Sequence, residues 1–138
     1  MYATLADMLA RFETAELVQL AQAEDAADPV LATRVGTALT RAQSIIDGYV
    51  AAKYRTGEIA TPPLLTEIAC DLARHAMYRD EAPGAVVDAR DQALKWLRDI
   101  STGVLKLDDG AAELPARTGA VLVTRPPRLF GRDSMGGF

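Results

Sequence analysis

Residues 28–50 of this 138-residue chain read DPVLATRVGTALTRAQSIIDGYV and decide the fold. The pair Asp28-Pro29 is typical of a helix start, because the carboxylate caps the first turn and proline is favoured at the first helical position. Beyond this pair, apolar residues recur every three or four positions, as they do on one face of a helix. These residues are Leu31, Val35, Ala38, Leu39, Ala42, Ile45, Ile46, Tyr49 and Val50. The stretch predicts one long amphipathic helix that reaches about residue 53.

Further helical patterns lie on both sides of this stretch. Thr4 and Asp7 have the spacing of a capping-box variant and predict a helix over residues 5–11, and Thr14 is expected to cap a second helix over residues 15–23. Thr61 and the prolines after it open another helix, and the last one ends near Gly103, which we expect to be its C-cap. The predicted fold class is mainly α, a small antiparallel helical bundle.

The pattern changes after Gly103, and two β-prone runs follow, Val104–Leu107 and Ala120–Thr124. They either pair as a hairpin or add to a strand of a neighbouring chain. Pro126 and Pro127 lack backbone donors and disfavour helix in the last segment. The chain is therefore divided into a helical body, residues 1–103, and an extended C-terminal arm with short strands, residues 104–138.

Charge is distributed unevenly along the chain, and the net charge of residues 1–114 is opposite in sign to that of residues 115–138. Residues 1–114 carry eleven Lys and Arg against eighteen Asp and Glu, which gives −7, whereas residues 115–138 carry four Arg against one Asp, which gives +3. Acidic residues 1–114 repel nucleic acid, so only residues 115–138 are expected to attract DNA or an acidic protein surface.

The arm combines apolar side chains with arginines, which is typical of a binding segment, since aromatic residues and arginine contribute strongly to interfaces. The predicted partner-binding residues are Arg125, Arg128, Leu129, Phe130, Arg132, Met135 and Phe138. Two other interpretations stay open: the arginines keep a terminus soluble, or the arm binds nucleic acid weakly and in a salt-sensitive way.

The loop over residues 53–62 is a secondary candidate contact. Tyr54, Arg55 and Ile59 lie in it, and two of them offer apolar groups without an obvious role in the core. We therefore add these three residues to the predicted partner-binding set.

The sequence contains little that is typical of catalysis. His75 is the only histidine and Cys70 the only cysteine, and neither has other ligands at metal-binding spacing. No hydrolase motif, phosphate loop or dinucleotide fingerprint is present. Cys70 lies on an apolar helical face, which predicts a buried, inert thiol. We expect no enzyme activity, no cofactor, no metal and no membrane association.

Five segments of the chain, in their order and spacing, resemble the small structural proteins of Mu-like phages and prophages. They are residues 1–12, 46–54, 62–74, 93–103 and 128–138, the last reading RLFGRDSMGGF. The resemblance spans nearly the whole chain. It implies a virion protein of the head–tail connector, similar to the helical adaptors below the portal of long-tailed phages.

The resemblance further implies a ring that matches the twelve-fold symmetry of the portal, with C-terminal segments reaching into the portal or a neighbouring subunit. The partners would be the portal protein and neighbouring connector or tail proteins, and DNA would pass through the channel without specific binding. The protein would be assembled in the host cytoplasm and reside in the virion neck. Head closure or tail completion is an alternative. A small DNA-binding regulator is disfavoured because only Arg11 is cationic between Leu5 and Ala23.

Overall fold

The computed structural model describes residues 1–54 and 61–107, and the part of the chain that it describes is helical. Five helices follow one another in these ranges. They are α1 (Leu5–Arg11), α2 (Thr14–Ala21), α3 (Pro29–Val50), α4 (Pro63–Met77) and α5 (Gly84–Thr102). The predicted mainly α class is confirmed.

Helix α3 forms as its sequence predicts. The Asp28 side chain accepts a hydrogen bond from the Val30 amide at 2.9 Å, and Pro29 is the first helical residue. The predicted apolar face is the buried face, although Ile45 and Tyr49 are only half-buried. The helix ends at Val50, three residues before the predicted position.

The two short N-terminal helices differ in how they begin. Thr4 and Asp7 form the predicted capping box in both directions, with the Thr4 amide donating to Asp7 Oδ2 at 2.8 Å. Thr14 was expected to cap α2, but it is the first helical residue and Glu13 occupies the cap without a side-chain hydrogen bond. This helix therefore begins at Thr14, one residue earlier than predicted.

Helix α4 lies at the centre of the bundle and packs against α3, α5 and α1. It runs antiparallel to α3, because Met77 near its end lies beside Arg34 near the start of α3. Eight of its residues are buried, among them Ile68, which has no exposed surface. Cys70 is also buried, as predicted, and burial raises the pKa of its thiol to about 11.

The chain reverses direction at the end of α5 and does not form the predicted strand over Val104–Leu107. Gly103 adopts a left-handed conformation with φ of 82°, which favours glycine, and it is the predicted C-cap. The Leu105 amide then donates back to the Asp99 carbonyl at 3.0 Å. Leu107 is buried in the core as a result, four residues past the predicted end of the body. The second β-prone run, Ala120–Thr124, lies outside the described residues.

Candidate functional site

Most of the sequence-predicted contact residues lie outside the described part of the chain. These are Arg125, Arg128, Leu129, Phe130, Arg132, Met135 and Phe138 of the arm, and Arg55 and Ile59 of the loop. Their assignment as partner-binding residues stays a prediction.

Tyr54 is the one predicted contact residue that the structure describes, and it belongs to the core. Only 4% of its surface is exposed, and its hydroxyl accepts a hydrogen bond from the Leu107 amide at 3.1 Å. Tyr54 therefore has a core role, and the prediction that it lacks one is wrong. The partner that buries it lies 53 residues away in sequence, beyond the reach of a local pattern.

A groove between α3 and the end of α4 is the most distinctive surface in the described residues. It encloses about 400 Å³, and three arginines line it, Arg34 and Arg41 from α3 and Arg79 just beyond α4. Its apolar lining includes Ala38 and Met77, both nearly buried. The arrangement places exposed guanidinium groups around an apolar floor.

A second cavity of about 210 Å³ adjoins this groove and shares Arg41 with it. Arg90 of α5 lines it and places Nη1 3.2 Å from His75 Nε2. Burial lowers the pKa of His75, and the positive charges of Arg90 and Arg41 lower it further. His75 is therefore a neutral ring that can accept a hydrogen bond from Arg90 at neutral pH. We call the two cavities together the arginine groove.

The arginine groove is basic on a body that is acidic. The described residues carry fourteen carboxylates and ten Lys or Arg side chains, yet no carboxylate lines either cavity. Arg34, Arg41 and Arg79 form no ion pair with any residue that the structure describes, whereas Arg90 pairs with Asp91 at 2.7 Å. Such a surface can hold carboxylates at its rim and an apolar side chain on its floor.

The arginine groove was not predicted from the sequence, although the spacing of two of its arginines indicates part of it. Arg34 and Arg41 are seven residues apart, so two helical turns place them on one face of α3. Arg79 and Arg90 come from other elements, and only the packing of α4 against α3 and α5 brings them alongside.

A separate cluster of charged groups fastens the N-terminal helices to α4. Arg74 donates to both carboxylate oxygens of Glu16, at 2.7 and 2.9 Å, and the Tyr78 hydroxyl donates to the same carboxylate at 3.0 Å. The Arg74 guanidinium also lies 4.7 Å from the centre of the Phe12 ring. On α1, Arg11 donates to both oxygens of the buried Asp71 at 3.2 Å. This cluster orients α1 and α2 and has a structural role.

The same contacts set the pKa of Glu16. Burial alone would raise the pKa of this carboxyl, but the hydrogen bonds from Arg74 and Tyr78 outweigh burial and lower the pKa below its ordinary value of 4.5. An acid whose pKa is lower in the folded state adds stability above its unfolded pKa and loses that contribution as pH falls through its folded pKa.

Replacing Glu16 with Gln is therefore expected to lower the free energy of unfolding by about 1 kcal/mol at neutral pH. The difference from the wild type should shrink as pH falls below 4.5, because the wild-type carboxyl then becomes neutral as well. Urea unfolding at several pH values measures this. Glu24→Gln is the matched control, since Glu24 is exposed. A pH-independent difference would contradict the assignment.

The described residues contain no group of three or more His, Cys, Asp or Glu side chains that could hold a metal ion. None of the helices in these residues is long and apolar enough to cross a membrane. The arginine groove brings arginines from α3, from α5 and from the residues just after α4 around an apolar floor.

Comparison with known proteins relates the chain to a phage protein family. The family described as Bacteriophage Mu, Gp36 matches residues 2–124. The chain belongs to this family. Among curated proteins, gene product J of Escherichia phage Mu is 28% identical over 142 aligned positions, which cover 98% of this chain and 97% of that protein.

Membership of the Mu Gp36 family confirms the predicted relationship to Mu-like phages and makes the role of the chain phage-related. The family match includes α1 to α5 and continues past the described body to residue 124. The family match thus includes both the helical body and the first part of the arm.

Proposed function

We propose that this chain is a structural protein of the phage particle, a head–tail connector adaptor that forms a ring beneath the portal and docks through its C-terminal arm. The observation that carries the proposal is the similarity to gene product J of phage Mu over nearly the full length of both chains. The resemblance to small structural proteins of Mu-like phages, which implies a connector protein, supports the proposed position in the particle.

The helical body suits a repeating unit of a ring. Its five helices share one core with α4 at the centre, so the body can present different faces to two neighbours without losing its own packing. An acidic body at a channel wall would repel DNA, so that DNA would pass through the channel without binding to it. A virion protein with these properties needs neither a cofactor nor an active site.

Head closure and tail completion are the alternative roles, because the same family relationship supports them. A DNA-binding regulator is disfavoured. Arg11 is the sole cation of α1 and α2, and it is bound to Asp71. Those two helices therefore offer no basic recognition surface for a duplex.

A cryo-EM reconstruction of the neck of the phage particle tests the proposed role. We expect a ring of five-helix bodies directly beneath the portal, with twelve copies. A ring at the head-closure or tail-completion tier would assign the alternative role, and the absence of the chain from purified particles would contradict a virion function altogether.

A further inference from the structure

The proposed docking through the arm does not use the arginine groove, whose chemistry selects a particular kind of ligand. Arg34, Arg41 and Arg79 line one cavity, and the half-buried Leu20 and Ala76 belong to its apolar lining. Arginine is suited to carboxylates because its planar guanidinium donates two parallel hydrogen bonds. An apolar side chain placed on the floor would displace water from the half-buried Leu20 and Ala76.

We propose that the arginine groove is a docking site for an acidic segment of another protein, one that carries an apolar side chain between its carboxylates. Charge complementarity selects this occupant. The groove is lined by four arginines and no carboxylate on a body whose residues 1–114 carry a net charge of −7. An acidic segment is attracted to the groove and repelled by the surface around it, which fixes where it binds.

The other possible occupants fit less well. Residues 115–138 of the same chain carry a net charge of +3, so the groove repels that part of the arm. Duplex DNA needs a wider basic footprint, and the acidic body opposes it.

A second copy of the chain offers the acidic residues Glu24 and Asp25 and the exposed Val30, but Val30 precedes Arg34 by one turn on the same face of α3. Pairing on that face would be two-fold and would not propagate around a ring. This last argument rests on the proposed function, whereas the charge argument does not.

Fluorescence anisotropy with the full chain tests the proposal. The probe is a labelled peptide with one central leucine flanked by glutamates and aspartates, and two control peptides replace either the acids with their amides or the leucine with serine. We expect binding of the acidic leucine peptide and weaker binding of both controls. The double variant Arg34→Gln, Arg41→Gln should weaken binding about tenfold.

Arg98→Gln is the matched control variant, because Arg98 is exposed on α5 and lies outside both cavities. It removes a positive charge from the body and should leave binding unchanged. Circular dichroism of the variants checks that they fold, which we expect because Arg34 and Arg41 are exposed.

Three outcomes would overturn the proposal. One is equal binding of the acidic peptide by the wild type and the double variant. Another is that a DNA duplex binds more tightly than the peptide and that the double variant no longer binds the duplex. The third is self-association by sedimentation that depends on Arg34 and Arg41, which would assign the groove to a second copy. None of these assays contains the portal protein, so their failure leaves the connector role unaffected.

Discussion

Replacing Ile68 with alanine is expected to lower the free energy of unfolding by about 3 kcal/mol, because buried Ile to Ala changes lose transfer free energy and leave a cavity. Ile68 has no exposed surface and lies on α4, the helix that packs against α1, α3 and α5. A loss of this size is a large share of the stability of a small domain. Urea denaturation followed by circular dichroism measures it.

Val104→Ala is the matched control for this core substitution. Val104 is 79% exposed just after α5, so its replacement should change stability by less than about 0.5 kcal/mol. If the two variants had equal stability, the central position of α4 in the core would be contradicted.

Ending the chain at Leu114 is expected to abolish binding to the portal protein while leaving the helical content unchanged. The deletion removes the seven predicted contact residues of the arm and retains every core residue of the described body, which extends to Leu107. Apolar and arginine anchors carry interface energy disproportionately, so the loss should exceed about tenfold in affinity. Circular dichroism checks the helices, and co-sedimentation measures the binding.

Smaller changes within the full-length chain can separate the two contributions of the arm. Phe130→Ala removes an apolar anchor, and Arg128→Gln removes a charge two residues away. If apolar contacts dominate, the first variant should lose binding at all salt concentrations. The second should differ from the wild type mainly at low salt, because exposed charge interactions are screened.

The predictable parts of the fold are those set by neighbours in sequence. The Thr4–Asp7 capping box, the Asp28-Pro29 start and the left-handed Gly103 all depend on contacts within a few residues, and all three are present. The predicted start of α2 is wrong by one residue. Threonine is a favoured N-cap residue, but Glu13 is the N-cap here and Thr14 is the first helical residue.

The parts that sequence did not predict depend on distant residues. Val104–Leu107 has strand-like composition, but the turn at Gly103 directs Leu107 onto Tyr54, and both become core residues. The arginine groove also depends on distant residues. The spacing of Arg34 and Arg41 predicts that they share one face of α3, but only the packing of the helices brings Arg79 and Arg90 beside them. The seven predicted contact residues of the arm lie outside the described residues, so their predicted role rests on composition and resemblance.

Co-sedimentation with the portal protein from the same genome tests the central claim most directly. The comparison uses the full chain and the chain that ends at Leu114, each checked for helicity beforehand. Docking through the arm predicts that the full chain sediments with the portal and the shortened chain stays in the supernatant. Sedimentation of both chains would contradict arm docking, and sedimentation of neither would contradict the portal as the partner.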